Sequence, residues 1–184
     1  MNDASRRIGP CRYIASAKPA MQRELTAFFR CESCGAVLGD FSGKSKTPSC
    51  CGREMTRIVP TGTEGCYESG RLYYDVVGGF NENCIRVFWS GEAPRWLYLD
   101  TFSGGQYMEL RAKRRPPAVF ALAGEDAYAY CDKDPCQMCS FRCKNGFMLY
   151  AFYEGGELLA MPVNRIAATS GSPESMTSSR RQNQ

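Results

Sequence analysis

The stretch CESCGAVLGDFSGKSKTPSCCG, Cys31 to Gly52, decides how the rest of the chain is read. Cys31 and Cys34 form a C-x-x-C pair. After a gap of 15 residues, Cys50 and Cys51 stand side by side and Gly52 follows. A C-x-x-C loop lets two thiolates converge on one ion while the N–H groups of the turn point at the sulfurs, and Gly35 permits that turn. Four thiolates around one ion form a tetrahedron, and the ions that suit it are zinc and iron. The adjacent pair needs a further device. Neighbouring side chains on a strand point to opposite faces. Cys50 and Cys51 therefore reach one ion only if the backbone bends between them, and Gly52 is expected to supply the bend. Such a bend widens one S–metal–S angle, which bears on an iron site's potential and spectrum more than on zinc.

The chain has 184 residues, 43% of them hydrophobic, with a net charge of +4, 11 cysteines and no histidine. That length suits one medium domain or two small ones with a real core. The basic run Arg111-Ala112-Lys113-Arg114-Arg115 reads as a solvated loop, so no nucleic-acid partner is expected. No apolar run approaches the roughly 20 residues that span a bilayer, and the N-terminus has no apolar signal core, so no membrane association is expected. The expected location is the cytoplasm, where cysteine clusters read as metal ligands before disulfides.

Outside the first cluster the pattern is β. Residues 1–25 read as an extension, with a short helix expected over Ala20 to Phe29, and Ile58 to Gly65 reads as a linker. Strands are expected at Leu72–Val77, Cys84–Trp89, Trp96–Phe102, Gln106–Leu110, Ala118–Leu122 and Ala127–Cys131. Alternation puts Ile85, Val87 and Trp89 on one face and Cys84, Arg86 and Phe88 on the other. The numerous aromatic residues read as core or cross-strand pairs. Glycine and proline pairs punctuate the strands: Gly78-Gly79, Gly104-Gly105 and Pro116-Pro117. Phe147–Tyr153 and Leu158–Val163 read as a closing hairpin around Gly155-Gly156. The fold class is mainly β, an all-β sandwich after a small metal domain. From about Ala168 the composition is that of a disordered tail.

A second cluster follows at Cys131, Cys136, Cys139 and Cys143, with the spacing C-x₄-C-x₂-C-x₃-C. Its first three cysteines match a plant-type ferredoxin loop, but no distant fourth cysteine follows, so the ferredoxin reading is set aside. Three readings stand: a second Cys₄ site for zinc or iron, an iron–sulfur cluster, or free redox-active thiols. Cys11, Cys66 and Cys84 are isolated and read as apolar residues. Without histidine, acid–base chemistry would fall to Asp, Glu, Lys or Cys, and no catalytic constellation stands out.

The segment Phe29-Arg30-Cys31-Glu32-Ser33-Cys34-Gly35, the gap, and Cys50-Cys51-Gly52-Arg53-Glu54-Met55 resemble desulforedoxin, the module that opens two-iron desulfoferrodoxin. The resemblance implies one rubredoxin-type iron on Cys31, Cys34, Cys50 and Cys51. It extends to Trp96-Leu97-Tyr98-Leu99-Asp100-Thr101-Phe102, to Arg115-Pro116-Pro117-Ala118-Val119-Phe120, and to Ala127-Tyr128-Ala129-Tyr130-Cys131-Asp132-Lys133-Asp134. These are similar to strands of that family's second domain, an immunoglobulin-like β-sandwich and a superoxide reductase. There an iron takes four histidines and one axial cysteine. The axial position would match Cys131, and two of the histidine positions would fall at Asp134 and near Arg95. With no histidine in the chain, the His₄Cys site cannot form.

The resulting divisions are 1–25, an extension; 26–60, a desulforedoxin-like metal domain; 66–167, the β-sandwich with its hairpin; and 168–184, the tail. The expected function is one-electron transfer or redox sensing at a Cys₄ iron, with a redox protein as partner, without superoxide reductase activity, and with a homodimer implied by the resemblance. Two alternatives stand beside it: a zinc-stabilised binding module, and a reductase of superoxide or peroxide working from the second cysteine cluster.

Overall fold

A computed structural model of the chain describes residues 26–41, 43, 46–61, 70–78, 83–111, 114–127, 144 and 146–163. Short strands separated by turns run through all of it. They are β1 (Ala27–Arg30), β2 (Val37–Asp40), β3 (Ser49–Cys50), β4 (Arg53–Glu54), β5 (Thr56–Ile58), β6 (Leu72–Gly78), β7 (Asn83–Trp89), β8 (Trp96–Asp100), β9 (Gly105–Glu109), β10 (Ala118–Leu122), β11 (Met148–Phe152) and β12 (Leu158–Pro162). They form four antiparallel sheets, with orders β2-β1-β5, β3-β4, β10-β7-β6 and β12-β11-β8-β9. A 3₁₀ turn spans Gly124–Ala127, and there is no α-helix among the described residues.

The two larger sheets share one core. Alternation in β7 buries Ile85, Val87 and Trp89, which cluster with Leu97 and Leu99 of β8, Leu149 and Ala151 of β11, and Leu159 and Met161 of β12. Cys84, Arg86 and Phe88 lie half-buried on the other face of β7, as the period-2 pattern dictates. There Arg86 pairs with Asp75, and Phe88 stacks on Tyr73 at 4.9 Å.

β8 departs from simple alternation. Its sequence Trp-Leu-Tyr-Leu-Asp is buried at every position. A strand that is apolar on both faces must be covered on both. Leu97 and Leu99 face the shared core. Trp96 and Tyr98 face outward with Tyr150, Phe152, Leu158 and Ala160, and the N-terminal sheet covers them with Phe28, Val37 and Ile58. Phe28 sits within 5.3 Å of the Trp96 ring and 5.1 Å of the Tyr150 ring. Beside it the buried Thr26 hydroxyl donates to Asp100 at 3.1 Å. The Thr61 N–H donates to the Leu158 carbonyl at 2.8 Å. Arg30 packs over the β11–β12 turn, where a side chain at Gly156 would collide with its guanidinium at 2.0 Å.

The covering sheet is one strand too narrow. At about 4.8 Å per strand, three strands span less than four. β9 is left outside the cover, with Tyr107 63% exposed. Between β9 and the β2 edge runs a groove of about 320 Å³, with Tyr98 and Trp96 among its lining and Phe41 at its side.

Three expectations need correction. Ala27 to Phe29 belong to a strand and not to a helix, because β1 is a central strand hydrogen-bonded on both edges and its residues bury alternately on two sides. The earlier part of that expected helix, residues 20–25, lies outside the described residues. Ala127 ends a 3₁₀ turn and opens no strand. Its carbonyl accepts from Asn83 Nδ2 at 2.6 Å and from Lys144 Nζ at 2.8 Å, so side chains occupy the acceptor that a ladder would use. The remainder of that expected strand, 128–131, also lies outside the described residues. Ile58, read as the start of a linker, is still in β5. The expected strand Ala118–Leu122 is present with the same bounds, and the others have ends shifted by one or two residues, as between Trp96–Phe102 and Trp96–Asp100.

Core packing predicts a sharp contrast between two truncations. Leu149→Ala, at a fully buried position, should cost about 2–5 kcal/mol. Val119→Ala, at a position 43% exposed, should change stability by no more than about 0.5 kcal/mol. Urea unfolding followed by circular dichroism measures both.

Candidate metal centre

β1 and β2 are joined by the first cysteine turn. The Cys31 N–H donates to the Ala36 carbonyl at 2.9 Å, and the Cys31 carbonyl accepts from the Gly35 N–H at 2.8 Å. Gly35 has φ 73°, so the residue after the second cysteine carries the left-handed step, as expected. This folds Cys34 back over Cys31.

The second pair sits on a two-residue hairpin. Cys50 pairs with Arg53 and Ser49 with Glu54, leaving Cys51 and Gly52 as the loop. Their φ values are 51° and 74°, and positive φ at both central positions is what a type I′ hairpin requires. The bend between the adjacent cysteines therefore begins at Cys51 itself, and Gly52 completes it. A left-handed residue other than glycine costs roughly 1–2 kcal/mol. Asparagine and glycine are the usual occupants; here a cysteine holds the position.

The result brings four sulfurs together. The ligand atoms of Cys31, Cys34, Cys50 and Cys51 all lie within 4.8 Å of one another, the one such group among the described residues. Cys34 Sγ lies 3.6 Å from Cys50 Sγ, and Cys50 Sγ lies 3.9 Å from Cys51 Sγ. Thiolates about 2.3 Å from a central ion stand about 3.8 Å apart along a tetrahedron edge. A disulfide would need about 2.0 Å. These two separations are close to that edge, and the four side chains are free thiols.

The electrostatics point the same way. The Cys34 N–H holds Cys31 down to about 6 against the opposing effect of burial, and the Ser33 N–H adds to it, so the turn favours a thiolate there. Hydrogen bonding with Cys34, then with Cys31, pushes Cys50 up to about 12. Cys34 foremost raises Cys51 as well. Thiolates this close oppose one another's ionisation, and a cation among them removes that opposition.

One side of the group is walled and the other is open. Cys31 is buried, and with Phe29 and Met55 it forms a small apolar floor, with Ala27 and Cys50 at its margin. The Met55 N–H donates to the Pro48 carbonyl at 2.8 Å, which anchors the chain as it leaves the hairpin. Cys34 and Cys51 are exposed.

The sequence-predicted residues divide clearly. Cys31, Cys34, Cys50 and Cys51 come together. Cys131, Cys136, Cys139 and Cys143 lie outside the described residues, as do Asp134, Cys11 and Cys66. Cys84 is half-buried on the outer face of β7, apart from the four. Arg95 is exposed, 3.9 Å from Glu154. Sequence reasoning had Met55 only as the end of the motif that carries the resemblance, without its place in the floor, and missed the part played by Phe28. The unbroken apolar run Trp96 to Leu99 was the signal for the latter, since it demanded cover on a second face.

No protein-family model matches the chain, and no curated protein matches it.

The hairpin offers a way to separate turn from ligand. Cys51→Asn keeps a residue that favours left-handed φ before Gly52 but deletes one thiolate. Outer-sphere changes at metal sites cost about 10–100-fold in affinity, so deleting a ligand should cost more than about 100-fold. Cobalt titration should show loss of the four-thiolate absorption, while the unfolding midpoint compared between the metal-free proteins is held or raised. Gly52→Ala should do the reverse. No atom lies within 4 Å of the added Cβ, so the cost is backbone strain, and the four ligands remain.

Proposed function

We propose that this chain is a non-haem iron protein of the desulfoferrodoxin type that carries single electrons at a rubredoxin-type centre on Cys31, Cys34, Cys50 and Cys51. The observation that carries the reading is the convergence of those four sulfurs, all within 4.8 Å of one another, on two tight turns. Two larger sheets around a common core support an immunoglobulin-like β-sandwich behind it. Iron in such a site supplies a reversible Fe²⁺/Fe³⁺ couple.

The chain's own part is to hold four sulfurs in one place through both oxidation states. The two turns fix the sulfur positions, the Cys34 and Ser33 N–H groups stabilise negative charge on Cys31, and Phe29 and Met55 keep water from the floor. Exposed Cys34 and Cys51 give a redox protein a side on which to dock. Transient encounters of this kind need only a small interface. Superoxide reduction at a histidine-ligated iron is no part of the proposal, because the sequence contains no histidine.

Anaerobic purification followed by metal analysis and a visible spectrum tests the reading. The expected protein is red, holds iron at the four-cysteine site, and bleaches on reduction. Serine at Cys34 or Cys51 should remove the colour. A colourless protein carrying zinc at the same four cysteines would replace electron transfer with a structural metal and a binding role.

A further inference from the structure

β1 carries two functions on its two faces. Ala27, Phe29 and Cys31 point to the floor of the cysteine group, while Phe28 and Arg30 point to the four-stranded sheet. The strand is four residues long. Its ladder with β2 is closed by the Cys31 N–H, at the first ligand itself. Nothing separates the metal turn from the residues that cover Trp96 and Tyr98.

The segment that does the covering has little else to hold it in shape. Its strands are two to four residues long, and its own buried apolar cluster is Phe29, Cys31 and Met55, one of which is a ligand. A chain segment below roughly 40 residues ordinarily needs a metal, a disulfide or a partner to fold. The covered face, for its part, is not wholly apolar. The Tyr150 hydroxyl is fully buried there and makes no hydrogen bond among the described residues, and Asp100 is buried against Thr26. Water reaching this face would satisfy a group that is now unmet.

We propose that metal occupancy at the four cysteines decides whether the aromatic outer face of the four-stranded sheet is covered. With the metal bound, β1 is held in register and Phe28 plugs the cluster of Trp96, Tyr98 and Tyr150. When the metal leaves, the N-terminal sheet loses its register and lifts, and the face opens while the core between the two larger sheets stays closed. The proposal rests on the four-thiolate reading but on neither iron nor electron transfer, and zinc serves to test it. Because the two events are linked, the coupling is reciprocal: weakening the plug must weaken the metal by the same factor.

The chain has two tryptophans, one on each side of the sheet. Trp96 lies in the covered face and Trp89 in the shared core. Full-length protein with Trp89→Phe reports on the face alone, and with Trp96→Phe on the core alone. In zinc-loaded protein, acrylamide should reach neither indole. After chelation under reducing conditions, quenching of Trp96 should rise several-fold with a red shift in emission, and Trp89 should stay shielded. Cys51→Asn should behave as chelated protein does. Phe28→Ala, which touches no ligand, should weaken zinc by roughly five- to hundred-fold. Phe28→Leu, a milder change for use if the alanine variant fails to fold, should shift affinity in the same direction by less. Trp96 remaining shielded without metal, Trp89 opening with it, or unchanged zinc affinity in the Phe28 variants would each overturn the proposal. A wild-type chain that binds no zinc at these cysteines would be a separate result, removing the four-thiolate reading and this inference with it.

Discussion

The alternation of a four-residue strand is the constraint on which the rest of this structure depends. In β1 successive side chains cannot share a face. Phe28 therefore goes one way, into three aromatic rings, and Phe29 and Cys31 go the other, under the sulfurs. Shifting the strand by one residue would turn Phe29 and Cys31 toward the four-stranded sheet and Phe28 and Arg30 toward the sulfurs. The cysteine turn, the cover of the four-stranded sheet and the packing of Arg30 over Gly156 are all consequences of one register.

The same register explains how a site of four sulfurs stands on so little structure. Each pair of ligands comes from one tight turn, and the turns are brought together by strands of two to four residues. Conformational cost is concentrated at Cys51, held at a φ that cysteine rarely adopts. The opposed ionisation of Cys50 and Cys51 is a second cost. Both become intelligible together, since a cation at the centre would compensate the charges and give the strained residue a reason to be a cysteine.

The strands of the larger sheets were legible from their alternation and glycine punctuation, and the grouping of the four cysteines from their spacing alone. Residues whose role depends on a distant partner were less so. Ala27 to Phe29 resemble a helix end until the strands on either side are known. Ala127 looks like part of an apolar strand until the side chains of Asn83 and Lys144 claim its carbonyl. The bend at the adjacent cysteines was foreseen but assigned to Gly52, because local preference favours glycine and does not reveal that Cys51 carries the first half of the turn. Trp96 to Leu99 held more information than simple alternation extracts: four apolar residues in a row mean two covered faces, and the second cover had to come from elsewhere in the chain.

Tyr98 lies across the edge strand at Gly105, where an added Cβ would stand 1.9 Å from the phenol oxygen and 2.3 Å from the ring. An aromatic ring laid over a glycine on the neighbouring strand shields backbone that the glycine leaves bare. The two positions are therefore one evolutionary unit. Among descendants of this sequence, a side chain can enter at 105 only after the ring at 98 has shrunk or turned away, and a smaller residue at 98 strips the cover from Gly105 until 105 is filled. Substitution at either position alone meets resistance that the pair together does not, so the two should covary across the β8–β9 boundary.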